Sequence, residues 1–109
     1  METTIDVVDS KLFEYVKSAD KYVPNFMRVL AATRFSKNAN EWINNFKQLN
    51  SGTYSSQWMI IDYNIFKEIR GTDKTPKNLI YVAEQNPKEL IHHDISDYVY
   101  KVQLFLMIE

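Results

Sequence analysis

The sequence predicts an α+β fold in which helices come first and antiparallel strands follow. Apolar residues of the N-terminal half recur at helical spacing. The clearest stripe of this kind is Trp42, Ile43, Phe46 and Leu49. From Thr53 onward the chain is rich in aromatic and β-branched residues, which favour strands. Two or three strands would leave the edges of a sheet unpaired, so we expect an incomplete domain whose sheet continues in further chain.

Two longer helices are predicted in the first half. Pro24 stands where a helix favours its first proline, and we expect that helix to end near Lys37. The second helix begins after Asn38 or Asn40, either of which is a suitable N-cap. Gly52 lies close to where a helix terminator belongs, so the second helix is expected to stop just before it.

The second half of the chain predicts strands separated by polar turns. A strand is expected over 53–63, followed by a polar surface loop over 71–77. A second, buried strand is expected over 79–85, and 89–93 continues as extended chain after a turn. Ile95, Tyr98 and Val102 could face one side of a last short helix, and the pattern over 99–108 leaves its structure open.

Composition excludes several classes of function. The 109 residues fit one domain, and we treat 1–109 as a single partial domain. Thirteen Lys and Arg balance fourteen Asp and Glu, and this net charge of −1 argues against a nucleic-acid partner. The chain has no cysteine, which excludes a disulfide, a thiolate metal site and a cysteine nucleophile within it. No cofactor or metal is predicted.

No targeting or membrane-spanning segment is expected from the sequence. The first residues are acidic and polar, unlike the positive start of a signal peptide. The longest apolar runs, 59–61 and 104–108, are far shorter than the ~20 residues that span a bilayer. Segment 20–34 mixes charged and apolar residues, and we expect it to pack in the core rather than lie on a membrane.

The strongest candidate for a functional site is the polar segment 50–58. It places an amide, several hydroxyls and a flexible glycine where a helix gives way to a strand. The backbone there is not fully used by regular hydrogen bonding, so its polar groups can face a ligand. The amide of Asn50 can donate to an oxyanion. The alternative interpretation is a helix stop followed by a Ser/Thr turn.

A longer motif is recognisable at this point. Residues 50–59, Asn-Ser-Gly-Thr-Tyr-Ser-Ser-Gln-Trp-Met, resemble the Asn-Ser-Gly-Thr-Tyr-Asn-Asn-Gln-Trp-Met signature of the phospholipase B-like family. Flanking segments agree in the same order: Glu2-Thr3-Thr4-Ile5, Arg34-Phe35, Ile61-Asp62-Tyr63 and Val82-Ala83-Glu84-Gln85-Asn86-Pro87. The resemblance covers residues 2–98 and departs from the family at Ser55 and Ser56. Segment 99–109 diverges, so we expect a fragment, or a truncated or frameshifted reading frame.

The resemblance implies an N-terminal nucleophile hydrolase, in which two stacked sheets lie between helix layers in an αββα arrangement. Members are secreted or lysosomal and hydrolyse acyl ester or amide bonds, with phospholipid deacylation and lipid degradation among their activities. Their nucleophile is a Cys exposed by cleavage of the precursor. Because this chain has no Cys, it is expected to be inactive alone and to need the remaining segment of the enzyme. The alternative is a non-catalytic remnant or interaction module that pairs its strands with a partner chain.

The resemblance also assigns roles to individual residues. Asn50 is the candidate catalytic residue, with an oxyanion-type role, and Thr53 is a weaker candidate for substrate binding. Trp58 is expected to be a core residue.

His93-Asp94 could orient an imidazole beside a carboxylate, although a surface turn is the expectation. Glu84 is expected to be a salt-bridged residue at a sheet edge.

Overall fold

The computed structural model describes residues 1–108, apart from the side chains of Ala19, Phe105, Met107 and Ile108. Glu109, the last residue of the predicted domain, lies outside the described residues. Helices and a four-stranded antiparallel sheet confirm the predicted α+β class.

Ten elements follow one another along the described chain. They are β1 (Glu2–Thr4), 3-10 helices at Ser10–Tyr15 and Ala19–Lys21, α1 (Asn25–Phe35), α2 (Ala39–Phe46), β2 (Ser56–Ile61), α3 (Tyr63–Ile69), β3 (Ile80–Gln85), β4 (Leu90–Asp94) and α4 (Ser96–Ile108). The predicted second helix, the buried strand and the extended segment after it are confirmed as α2, β3 and β4. Asn38, not Asn40, caps α2: its side-chain oxygen accepts a hydrogen bond from the backbone N–H of Glu41 at 2.9 Å.

The strand β1 and the helix α3 were not predicted from the sequence. The strand β1 pairs with β2, with Thr4 opposite Ser56. The helix α3 begins directly after β2, where the Asp62 carboxylate accepts from the backbone N–H groups of Asn64 and Ile65. The predicted strand 53–63 is therefore shorter in the structure. It begins only after the turn at 51–53 and ends at the N-cap of α3.

The sheet has the order β1-β2-β3-β4, and every neighbouring pair is antiparallel. The central strands β2 and β3 pair from Ser56 opposite Gln85 to Ile61 opposite Ile80. The outer sides of β1 and β4 have no strand partner within residues 1–108. The sheet therefore places the start of β2 beside the end of β3, next to the polar segment that follows α2.

The hydrophobic core lies between α2 and one face of the sheet. Ile43 and Phe46 of α2 are fully buried, as is Ala83 of β3. Trp58 of β2 packs against them as predicted, with its ring 5.2 Å from that of Phe46 and 5.4 Å from that of Trp42. Complete burial of a side chain such as Phe46 contributes about 1.5–3 kcal/mol to stability. This aromatic cluster anchors the C-terminal end of α2 to the sheet.

Helix α1 does not follow the expected pattern. Its buried residues are Arg28 and Ala32, one helical turn apart on the face that meets the rest of the chain. Its large apolar side chains face outward and are exposed: Phe26, Met27, Leu30 and Phe35. The expectation that segment 20–34 buries its apolar residues in the core is therefore wrong for α1, because a charged residue occupies its inward face.

Candidate functional site

The polar residues 50–53, which we call the junction, connect α2 to β2 through a tight reversal of the backbone. Leu49, just before it, has a φ of 52°, and Gly52 has a φ of 79°. Such left-handed values are costly for residues with a side chain and readily adopted by glycine. Leu49, the last member of the predicted apolar stripe, consequently points away from the core and is 57% exposed.

Two other parts of the chain close over the junction. A Cβ added to Gly52 would lie 3.1 Å from the Val16 Cα and 3.1 Å from the Pro87 carbonyl oxygen. The Ser51 carbonyl accepts a hydrogen bond of 2.9 Å from the backbone N–H of Lys17. A side chain here would press tightly on both backbone segments, so φ and the close contacts both favour the glycine of the motif.

Asn50 lies at the centre of this arrangement and is 8% exposed. Its Oδ1 accepts from the backbone N–H of Gly52 and from Nη1 of Arg28, both at 3.2 Å. Its Nδ2 donates to the Asn86 carbonyl at 3.0 Å. The amide oxygen thus has two donors, whereas the amide nitrogen carries a second hydrogen beyond the one used by Asn86.

Arg28 reaches the junction from α1 and is 4% exposed. Its Nε donates to the Gln48 carbonyl at 2.9 Å, and its Nη2 donates to the Phe46 carbonyl and, at 3.0 Å, to Oε1 of Gln85. The guanidinium carbon lies 4.4 Å from the centre of the Phe46 ring. Burial lowers the pKa of Arg28 to about 10, which still leaves it positively charged at neutral pH.

Gln85 completes the group that we call the Arg28 cluster, namely Arg28, Asn50 and Gln85. Gln85 is 1% exposed at the end of β3, and its Nε2 donates to the Tyr54 carbonyl at 2.8 Å and to Oδ1 of Asn25 at 3.5 Å. The cluster therefore ties α1, the junction and the sheet together. Sequence reasoning missed Arg28 and Gln85, although a lone charge within the apolar run of α1 was a signal.

Thr53 is exposed at the outer side of the junction. Its hydroxyl lies 2.7 Å from that of Ser51, and its backbone N–H donates to the Ser51 hydroxyl at 3.2 Å. This is the Ser/Thr turn of the alternative interpretation. The turn and an active-site role for Asn50 are compatible, because the turn uses neither atom of the Asn50 amide. A substrate-binding role for Thr53 stays a prediction.

The remaining sequence candidates have other partners. Asp94 accepts from the backbone N–H of Ser96 at 2.9 Å, from its hydroxyl, and from the backbone N–H of Asn78 at 2.7 Å. Burial alone would raise the pKa of Asp94, but these hydrogen bonds outweigh it and hold the pKa below its ordinary value. Within residues 1–108 no hydrogen bond joins His93 to this carboxylate. The expected surface turn is also wrong, because both residues lie on β4 and pair with Val82 and Tyr81 of β3.

Glu84 is exposed on the central strand β3, not at a sheet edge. Its carboxylate accepts a 2.7 Å hydrogen bond from Nε2 of Gln57, the residue opposite it on β2. The only ion pair among the described residues joins Lys101 and Asp97. The expectation of a salt-bridged edge residue is therefore wrong, because the strand neighbour of Glu84 is a neutral amide.

No group of three His, Asp or Glu side chains within residues 1–108 is placed to hold a metal ion. No described helix is both long enough and apolar enough to cross a membrane.

The fold and the junction define an α+β protein with a buried polar cluster where a helix meets a sheet. Comparison with known proteins gives the family. The sequence model of the Phospholipase B family matches residues 1–106, and the chain therefore belongs to that family. It is 39% identical over 101 residues to phospholipase B-like protein F of Dictyostelium discoideum, and 36% identical over 106 residues to a phospholipase B-like 2 protein of Caenorhabditis elegans.

The chain spans only a small part of these relatives. The two matches cover 89% and 96% of this chain, but 16% and 18% of the respective relatives. A phospholipase B-like 2 protein of Bos taurus gives the same result, with 34% identity across 93% of this chain and 17% of the relative.

Proposed function

We propose that this chain is part of an N-terminal nucleophile hydrolase that cleaves acyl ester or amide bonds, phospholipids among them. Family membership supports the class of reaction. The observation that carries the proposal for this chain is the Asn50 amide. Its oxygen is occupied by two donors, and its nitrogen retains a hydrogen that can be donated to a substrate oxygen.

In the proposed reaction the nucleophile comes from outside this chain, since the family resemblance implies a Cys and the chain contains none. The α-amine of that Cys takes the thiol proton, the sulfur attacks the carbonyl carbon, and the carbonyl π electrons move to the oxygen, which becomes an oxyanion. Nδ2 of Asn50 donates a hydrogen bond to that oxygen. Collapse of the oxyanion expels the alcohol or amine, which takes its proton from the enzyme's α-amine, and water then releases the acid.

Burial makes Asn50 suited to this role. A donor stabilises an oxyanion more strongly where water is excluded and the donor is already fixed. Asn50 is 8% exposed and held at both ends of its amide. Removal of one such donor lowers turnover by about 10²–10³-fold. Thr53, exposed beside it, is the proposed substrate-binding neighbour.

The proposed partner of this chain is the remaining segment of the same enzyme. The face of the sheet opposite α2 carries half-exposed apolar residues: Met59 at 38%, Ile61 at 42% and Ile91 at 50%. Relatives that are several times longer supply chain that can cover such a face. We also propose a secreted or lysosomal location, which the resemblance supports and which imaging of the tagged protein would test.

The outer edges of β1 and β4, which have no strand partner among residues 1–108, favour a second candidate function, an interaction module without catalysis. This candidate predicts that the isolated chain binds a partner by adding a strand to its sheet. It differs from the first candidate because it needs no role for Asn50.

The test uses a chimera in which this chain replaces the matching segment of phospholipase B-like protein F. We expect the chimera to release fatty acid from phospholipid, the isolated chain to release none, and Asn50→Ala to lower kcat of the chimera by about 10²–10³-fold. Asn44→Ala, an exposed amide on α2, is the matched control. An inactive chimera would overturn the hydrolase proposal, and an unchanged kcat in Asn50→Ala would overturn the oxyanion role.

A further inference from the structure

We propose that Arg28 is a positioning residue for Asn50. Its buried guanidinium holds the Asn50 amide in one orientation and strengthens the amide N–H groups as donors. The inference rests on the proposed function of Asn50 and deepens it. Arg28 lies 22 residues before Asn50 and outside the ten-residue signature, and the contact between their side chains assigns it to the same site.

The orientation argument follows from the partners of the two amide ends. An asparagine amide can occupy a site in either of two orientations that exchange oxygen and nitrogen. Here Oδ1 faces two donors, Nη1 of Arg28 and the N–H of Gly52, while Nδ2 faces the Asn86 carbonyl. The reversed orientation would set donor against donor and acceptor against acceptor. Arg28 is the only one of these partners that is a charged side chain, so it contributes most to the preference.

The charge of Arg28 also acts on the electronic state of the amide. A cation hydrogen-bonded to an amide oxygen draws electron density toward it and makes the amide hydrogens more positive. The effect is strong here because both residues are almost completely buried, where the local dielectric is low. The other acceptors recorded for Arg28 among the described residues are neutral oxygens of Phe46, Gln48 and Gln85. No carboxylate in that set cancels the field at Asn50.

The geometry requires an arginine rather than any cation. All three nitrogens of the guanidinium donate, and they hold α1 against the end of α2, the residues that follow it and β3. A lysine would place one point charge there and could not reach these acceptors together. A neutral residue of similar size would fill the space without polarising Asn50. Among the described residues no carboxylate pairs with this cation, and its hydrogen bonds to four neutral oxygens offset part of the cost of burying it.

The direct test is the side-chain amide signal of Asn50 in NMR spectra of the 109-residue chain with 15N-labelled asparagine. We expect two well-separated downfield proton signals in the wild type. Arg28→Met, which removes the charge, should move them toward the values of a free amide. Arg28→Lys keeps a charge but loses the planar guanidinium with its several N–H donors, and it should give an intermediate shift. Arg34→Met, an exposed arginine on the same helix, is the matched control and should leave them unchanged.

Two results would overturn the inference. One is an Asn50 signal that stays at its wild-type position in both Arg28→Met and Arg28→Lys while the backbone spectrum shows the native fold. The other applies if Arg28→Met does not fold, and it is an Asn50 signal that stays at its wild-type position in Arg28→Lys.

Kinetics of the chimera separate this inference from the proposed function. We expect Arg28→Lys to lower kcat by up to about 10²-fold with KM nearly unchanged, because a misplaced donor weakens transition-state binding. The double variant with Asn50→Ala should be no slower than Asn50→Ala alone. If Asn50→Ala leaves kcat unchanged while Arg28→Met still shifts the Asn50 signal, the oxyanion role fails and the positioning role stands. If Asn50→Ala is slow but Arg28→Lys behaves like Arg34→Met, the positioning role fails.

Discussion

Replacing Gly52 with alanine tests whether the junction is closed by backbone on both sides. The left-handed φ of 79° costs an alanine about 1–2 kcal/mol. The new methyl would also meet backbone atoms of Val16 and Pro87 at 3.1 Å, and backbone cannot move aside as a flexible side chain can. Overpacking of this kind costs about 1–3 kcal/mol. We therefore expect Gly52→Ala to lower the free energy of unfolding by about 2–5 kcal/mol.

Gly71 provides a matched control within the same chain. Its φ of 78° is almost identical, but a Cβ built on it meets nothing within 4 Å. Gly71→Ala should therefore show the conformational term alone, about 1–2 kcal/mol. The free energies of unfolding are measured by urea denaturation followed by circular dichroism.

The difference between the two variants isolates the effect of the close contacts. If Gly52→Ala and Gly71→Ala lower stability by the same amount, within about 0.5 kcal/mol, then residues near Val16 and Pro87 move aside freely. That result would refute the description of the junction as a site closed by rigid backbone.

Two further changes test local hydrogen bonding. Asp94→Asn should weaken the acid dependence of stability. The pKa of Asp94 is held below its ordinary value of 3.8, so its carboxylate stabilises the fold at pH values above 3.8. This contribution is lost as the pH falls through the lowered pKa. Unfolding followed from pH 6 to pH 2 measures this, and identical pH profiles would contradict it. Asn38→Ala should lower the free energy of unfolding by about 1 kcal/mol, because it removes the N-cap of α2. Asn40→Ala should have little effect in the same denaturation assay. The reverse order would contradict the assigned cap.

The elements that the sequence predicted are those with strong local signals. The helix α2 has a cap and an apolar stripe within a few residues, and β3 begins within the continuous apolar run 79–83. By contrast, β1 is three polar residues that become a strand only through pairing with β2, more than fifty positions away. Helix α3 directly follows the strand β2, and the two segments have similar compositions. The only clear sequence signal for this helix is Asp62 at its N-cap.

The candidate site shows the same difference between residues with a local sequence signal and residues that depend on long-range contacts. Asn50 was found because a contiguous motif surrounds it. Arg28, which contacts Asn50, and Gln85, which contacts Arg28, were not found. The hydrogen bond between Arg28 and Gln85 joins positions 57 residues apart and depends on how α1 sits against the sheet. Burial of Arg28 also reverses the usual polarity of an amphipathic helix, so a rule that places apolar residues inside points α1 in the wrong direction.

The position of the two tryptophans makes the seam between α2 and the sheet optically observable. Trp42 and Trp58 are the only tryptophans in the sequence, and their rings lie 5.4 Å apart in one cluster. Tryptophan emission, excited at a wavelength that the tyrosines do not absorb, will therefore report on this seam. A change in emission upon association with further chain would mean that the seam itself is altered, whereas association through the opposite sheet face should leave the emission almost unchanged.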